Sequence, residues 1–374
     1  MTCLSHIAWA RLRGRRPRAA GCNARLGPHG QEVSSGIARV WVDDGTEGWG
    51  WSFIRREEAE RLVGERLEAL WAPTGGVVER ARALEYPLLD LAAKRAGVPV
   101  YALVTGKHPT PGEPLRVPCY DTSLYMDDLH LQDDRAAADL LAAEAAEGWA
   151  RGHRAFKAKI GRGALHMPLE EGTRRDIAIL RALREAIGPQ ARLMADANNG
   201  YNLNLTKRIL AETADCALYW LEEPFHEDGQ LYRHLKAWLA AQGLATLIAD
   251  GEGDASPRLL DWAREGWVDV IQYDIGRPGF SRWLELGPQL DAWGVRSAPH
   301  HYGEPLGNYL ACHLAPAIQR FEAVEWDEAS LEGVDASAYC IVEGYVEVPD
   351  LPGFGLFLDE SAWQKALSEG GWEV

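Results

Sequence analysis

The sequence predicts an α/β fold, a barrel of parallel strands joined to a smaller α+β domain, on three observations. The chain has 374 residues, 47% of them hydrophobic, enough for one barrel and a second domain. From Val117 onward, short apolar runs end in polar residues, and each is followed by a stretch long enough for a helix. No glycine-rich phosphate-binding fingerprint follows any run, since Gly251-Glu252-Gly253 lacks the third glycine, and this argues against an open doubly wound sheet.

Residues 1–114 are the predicted α+β domain. Trp9 and its neighbours suit a strand and loop. Residues 37–42 read as a strand, Asp43-Asp44-Gly45 as its turn, and Gly48-Trp49-Gly50-Trp51 as the returning arm of a hairpin. Helical patterns follow over 57–72 and 77–96, the second stopped by Gly97 and Pro99. Residues 115–330 hold eight apolar runs: 117–120, 156–160, 192–195, 217–221, 246–249, 268–273, 295–298 and 323–326. Their near-continuous apolar character is what parallel strands covered by helices require. The last segment, 331–374, combines a strand-like stretch over 341–348 with a helical piece near 361–367. A closed barrel has no free edge to accept it, so it is expected to pack back on the N-terminal domain.

A net charge of −16 repels phosphate backbones and anionic lipid, so neither nucleic acid nor a membrane is an expected partner. No run of about 18 apolar residues occurs. The arginine-rich first 21 residues carry no apolar signal core, which points to a cytoplasmic protein. The six cysteines stand singly, without zinc-like spacing, and read as small core residues of a reducing compartment. The chain is further expected to assemble as a homo-oligomer.

Barrels of this type gather their chemistry at the C-terminal ends of the strands, and here those ends are mostly acidic. Asp196, Glu222 and Glu252 follow three consecutive strands and would repel one another without a cation between them. An all-oxygen set of this kind suits Mg²⁺. A single acid there commonly caps the next helix, but three in succession argue for a metal. Alternation puts Asp196 and Asn198 on one face and Glu222 and Glu223 on opposite faces, while Asp250 and Glu252 share a face and both stay open as ligands.

Lys157 and Lys159 share a face of the second strand. An ammonium beside another, near a divalent cation, loses its proton more easily, so the pair can supply a neutral amine as a base near pH 7. Asp274 ends the sixth strand and His300 the seventh, so that the carboxylate can fix the tautomer of the imidazole and raise its basicity. His301 points the other way and is the alternative base. Glu325 ends the eighth strand and, if protonated, could donate to a developing oxyanion. A Schiff-base aldolase could also use a barrel lysine, but it would not need the three acids.

This ordered set resembles the mandelate racemase branch of the enolase superfamily, the mandelate racemase/muconate lactonizing enzyme-like proteins. Lys157-Ala158-Lys159 matches its KxK motif; Asp196-Ala197-Asn198, Glu222-Glu223-Pro224 and Gly251-Glu252 match its ligand motifs; Asp274 with His300 matches its dyad, and Glu325 its last-strand acid. Residues 38–51 and 90–101 resemble its capping domain, while the stretch 162–171 looks additional. The resemblance implies a modified TIM barrel, (β/α)7β, with an N-terminal cap. It also implies Mg²⁺ on Asp196, Glu222 and Glu252, with Lys157, Lys159, Asp274, His300 and Glu325 as catalytic residues; Asn198 is expected to contact substrate. The implied chemistry is removal of the proton alpha to a carboxylate, giving a metal-stabilised enediolate. The substrate is then a small carboxylate, preferably a sugar acid that is dehydrated; the alternatives are a racemase or epimerase of a 2-hydroxy acid and a non-catalytic sugar-acid binding protein. The arginines Arg15, Arg16 and Arg18, within residues 13–30 of the cap, are expected to lie in a loop over the site and attract the anionic substrate.

Overall fold

The computed structural model describes residues 2–72, 76–108, 114–277 and 279–374. Leu4–Ala20 forms one long strand, paired antiparallel with Gly30–Val42, which turns at Gly45 and pairs with Glu47–Trp51. This sheet lies against the helix Glu85–Ala96, and Gly48 permits the approach, because a Cβ there would sit 2.3 Å from the Pro87 carbonyl oxygen. The helix read over 57–72 is split into Arg56–Leu62 and the single turn Leu67–Leu70, since Gly64 takes a left-handed φ of 87° between them. The helix read over 77–96 begins only at Glu85, after the 3₁₀ turn Glu79–Leu84.

All eight apolar runs enter one parallel sheet. Its order is Val324–Trp326, Leu115–Leu124, Ala155–Lys159, Arg192–Asp196, Trp220–Glu222, Leu247–Asp250, Val270–Ile271 and Arg296–Ser297. At the far side Ser297 bridges Phe321 in parallel and exchanges hydrogen bonds with Arg320 and Glu322, just ahead of Val324–Trp326.

Period-two alternation divides the sheet's side chains between two cores. Tyr120, Ala155, Met194, Trp220, Ala249, Val270, Ala298 and Ala323, one from or beside each strand, pack together as a separate cluster. The residues between them, such as Phe156, Leu193, Leu221, Ile248, Ile271 and Val324, belong to the larger core shared with the helices.

The C-terminal segment touches both parts of the chain. Ser330–Leu331 and Trp372–Glu373 pair with Leu4–Ala20, and the Phe354 amide donates to Asp90 at 3.1 Å. Tyr345–Val348 instead pairs antiparallel with the start of Leu115–Leu124. Among the described residues no helix is long and apolar enough to cross a membrane. The six cysteines are free; Cys22, Cys119, Cys216 and Cys312 are buried as expected, but Cys340 is exposed on a short surface strand and Cys3 is half-buried.

Candidate active site

Two residues beyond each member of the interior cluster, the same strand face turns polar. The residues there are Thr122, Lys157, Asp196, Glu222, Gln272, His300 and Glu325, with Gly251 at the fifth strand. Parallel register sets Lys159 opposite Asp196 and Asp196 opposite Glu222, so an ammonium and two carboxylates stand in one row.

The fifth strand departs from simple alternation. It ends at Asp250, and Gly251, with φ 130°, swings the chain so that Glu252 rather than Asp250 enters the site. Asp250 faces the other way and accepts a hydrogen bond from the Tyr232 hydroxyl, which removes it as a ligand. Asp196, Glu222 and Glu252 offer oxygens all within 4.8 Å of one another. That span suits one six-coordinate Mg²⁺, whose opposite ligands lie about 4 Å apart. Glu223 is separated from the group: Asn198 and Asn199 donate to its carboxylate at 3.0 and 2.7 Å. Asn198 is therefore spent on Glu223 through its Nδ2, while its Oδ1 has no partner.

The charges decide what this cluster can hold. Two carboxylates at such a distance repel by about 3 kcal/mol at an effective dielectric of 20. Burial, with Asp196 adding to it, pushes Glu222 up to about 8. Burial would raise Asp196 too, but Lys159 and Lys157 outweigh it and hold that carboxyl below its usual range. The donor set thus fits a divalent cation, which would let all three acids ionise together.

Around the lysines these acids act against the loss of a proton, the opposite of what a bound divalent cation would do. Lys157 Nζ lies 2.7 Å from Glu222 Oε1 and 3.1 Å from Glu325 Oε1, and Lys159 Nζ donates to Asp196 Oδ2. Burial works to lower both lysines, yet the surrounding carboxylates raise both above the ordinary value. Two ammonium groups facing several carboxylates are stabilised more than they repel each other.

His300 Nδ1 donates to Asp274 Oδ1 at 2.5 Å, and Nε2 stands 3.2 Å from Glu252 Oε2. Burial opposes the imidazolium, but Glu252, Glu325 and Asp274 together carry His300 to about 10. The ring nitrogens of His301 have no hydrogen-bond partner, so the contact with Asp274 belongs to His300. Glu325 accepts from Thr122 Oγ1 at 2.9 Å, Lys157 Nζ, and the amides of His301 and Tyr302 at 2.9 and 3.1 Å. Burial favours its neutral form, but Lys157, His300 and His301 hold it well below the usual carboxylate range. The donors turned on it favour the ionised form over a protonated donor.

Beside the dyad opens a cavity of about 410 Å³, walled in part by Asp274, His300 and His301 and by Trp51 and Phe53 from the N-terminal sheet and the residues after it. The arginines of the first strand do not guard it. Arg15 is exposed, Arg16 pairs with Asp327 at 2.8 Å, and Arg18 with Glu147 and Glu144 at 2.9 and 3.3 Å. They sit in the strand Leu4–Ala20 and not in a loop; Arg16 lies 4.5 Å over the ring of Tyr302, which lines the cavity, and His29 is edge-on to Tyr125 at 4.9 Å.

Residues 140–362 match the family model for enolase C-terminal domain-like proteins. The chain belongs to the enolase superfamily. Among solved structures, galacturonate dehydratase from Geobacillus sp., complexed with D-galacturonate and 5-keto-4-deoxy-D-galacturonate, is 50% identical over 100% of this chain and 98% of its own, with a TM-score of 0.95. A mandelate racemase/muconate lactonizing protein from Geobacillus sp. Y412MC10, complexed with magnesium and tartrate, is 51% identical over 100% and 97%, with a TM-score of 0.97. D-xylonate dehydratase from Haloferax volcanii is 28% identical over 334 residues, 83% of this chain and 74% of its own.

Several supporting residues of this enolase-superfamily site escape a reading of strand ends alone. Gln272 and Trp220 donate to Glu222 Oε2 at 2.9 and 3.2 Å, and Thr122 supports Glu325. Gln272 had a signal, since it alternates with Asp274 on one strand. Tyr125, whose ring lies 5.2 Å from Lys159 Nζ, had none.

Proposed function

We propose that the chain is a Mg²⁺-dependent acid-sugar dehydratase and that a hexuronate such as D-galacturonate is its substrate. The observation that carries this reading is the convergence of two lysines, a three-carboxylate group and the His300–Asp274 pair on one end of one sheet. The half-identical relative complexed with D-galacturonate and its keto-deoxy product supports the substrate class. We read the sheet as a (β/α)7β barrel closed between Ser297 and Phe321, supported by the eight-membered interior cluster. Residues 1–114 act as its cap, 115–330 as the barrel, and 331–374 as a segment returning to the cap; the walling of the cavity by Trp51 and Phe53 supports the cap's part in the site.

Asp196, Glu222 and Glu252 hold the Mg²⁺, which when bound supplies the positive charge that acidifies the α-carbon and offsets charge gathering on the substrate carboxylate. Lys157, fixed between Glu222 and Glu325, donates to a carboxylate oxygen of the substrate. Lys159 and His300 come from the second and seventh strands and face the substrate from different sides. One removes the α-proton, and the other delivers a proton to the β-hydroxyl as it leaves as water. The resulting enol takes a proton at the β-carbon and becomes a keto-deoxy acid. Asp274 positions His300, and Asn198 Oδ1 remains free to accept a substrate hydroxyl.

Incubation of the Mg²⁺-loaded protein with D-galacturonate should give the keto-deoxy acid with uptake of solvent deuterium. The absence of turnover and of α-proton exchange across hexuronates, aldonates and aldarates would remove this reading. Exchange with epimer formation and no water loss would move it to the racemase class.

A further inference from the structure

The cavity beside the dyad contains a group that the proposed reaction leaves unused. His301 is only 4% exposed, it forms part of the cavity wall, and neither ring nitrogen has a hydrogen-bond partner. Buried polar groups are nearly always paired, so an imidazole in a cavity wall with two idle nitrogens marks a place for a ligand. The surrounding chain is shaped to admit this ring. Gly307 opens the helix Gly307–Leu314, and a Cβ at that position would lie 2.3 Å from His301 Cγ and 2.5 Å from Nδ1. The backbone is held independently, because the His301 amide donates to Glu325.

We propose that His301 is a specificity-determining residue that holds a hydroxyl at the end of the sugar acid remote from the reacting carboxylate. This rests on the dehydratase reading above and extends it to the far end of the substrate. The chemistry of the ring selects the class. A neutral imidazole offers one donor and one acceptor, which a hydroxyl answers on both counts and a carboxylate, acceptor only, answers on one. Burial lowers His301 to about 4, in keeping with a neutral ring. Glu304 shares the cavity wall, with Ser35 donating to it at 3.0 Å; burial pushes it up to about 7, and in its ionised form it repels a second carboxylate. The site therefore takes a monocarboxylic polyhydroxy acid in preference to a dicarboxylate.

The test compares D-galacturonate with a four-carbon 2,3,4-trihydroxy acid of matching α and β configuration, which lacks the remote carbons, and with galactarate. His301→Phe keeps the ring and removes both nitrogens. It should lower kcat/KM for D-galacturonate about 10- to 100-fold, chiefly through KM, while changing that of the short acid less than twofold. His301→Gln, which restores a donor and an acceptor, should recover part of the loss. Gly307→Ala should mimic His301→Phe by displacing the ring, and thermal melts check that both variants stay folded. Calorimetric binding of D-galacturonate in Mg²⁺ gives a readout independent of turnover and should weaken by a similar factor. Equal losses for the long and short acids, unchanged D-galacturonate affinity in His301→Phe, or a wild-type preference for galactarate would overturn the assignment; the last would give the far end to Arg277, which also lines the cavity. Failure of the wild type to dehydrate or exchange any acid, with His301-dependent binding intact, would instead sink the dehydratase reading alone.

Discussion

His300 and Asp274 meet as partners in a parallel bridge between the ends of the sixth and seventh strands, and their side chains join at 2.5 Å. A carboxylate on Nδ1 leaves Nε2 as the nitrogen turned toward the acid cluster, where it stands 3.2 Å from Glu252.

That geometry makes Asp274 separable from the other base. Asp274→Asn should lower turnover by about 10² to 10⁴, the usual cost of disabling a general base or its orienting group. Exchange of an α-proton on the Lys159 side should persist. Deuterium uptake by two substrates of opposite α-configuration reads the two faces separately, and equal loss from both would show that the bases do not act on different faces.

Chelation should abolish activity, and Mg²⁺ should restore it, since the three clustered acids ionise together only around a cation. Glu222→Gln should weaken Mg²⁺ binding at least tenfold more than Glu223→Gln, because Glu223 is tied to Asn198 and Asn199 outside the cluster. Titration calorimetry on both variants would expose a wrong ligand assignment if their affinities fell alike.

Arg162 is completely buried between Asp128 and Asp176, at 2.5 and 2.7 Å, and donates to the Lys159 carbonyl at 3.1 Å. Arg162→Ala would leave Asp176 in the interior without its cation and Asp128 with only Arg175, at 3.5 Å, which costs about 3–5 kcal/mol. Removing the exposed pair Arg208–Glu170 should cost far less by comparison, since solvent screens it. Urea midpoints measure both; similar small losses would mean that Arg162 does not brace the strand carrying the lysines.

The legibility of this chain follows the reach of local rules. Eight apolar runs became eight strands because burial on both faces leaves a composition signal that needs no tertiary knowledge. The same alternation found Lys157, Lys159, Asp196 and Glu222, which share a face with their strand's interior residue. It failed at Glu252, where Gly251 breaks the period and turns Asp250 outward. It says nothing of ionisation, since the charges around Lys159 and Glu325 come from other strands: Asp196 for one, Lys157 and His300 for the other. The arginines of residues 13–18 misled for the same reason, because Asp327 and Glu147 lie more than a hundred positions away.

The last prediction concerns stability and pH, and it arises far from the acids. His313 Nδ1 accepts the Tyr101 amide at 3.2 Å, so Nε2 carries the proton and donates to the Tyr339 hydroxyl at 2.9 Å; that hydroxyl donates in turn to the Phe354 carbonyl at 2.5 Å. One neutral ring thus joins two helices to the C-terminal segment. Burial lowers His313 to about 3 in the fold, against about 6.5 in an unfolded chain. Between these values the unfolded state binds the extra proton, so stability rises with pH there: the contribution is complete above about pH 6.5 and is lost progressively as pH falls toward 3. The slope from this group approaches about 1.4 kcal/mol per pH unit. His313→Gln keeps a donor and an acceptor but does not titrate, so it should be less stable than wild type at pH 7 and should close that gap by pH 4.5. Melting temperatures of the two proteins measured across this range test the claim, and two parallel curves would show that His313 is not the group being titrated.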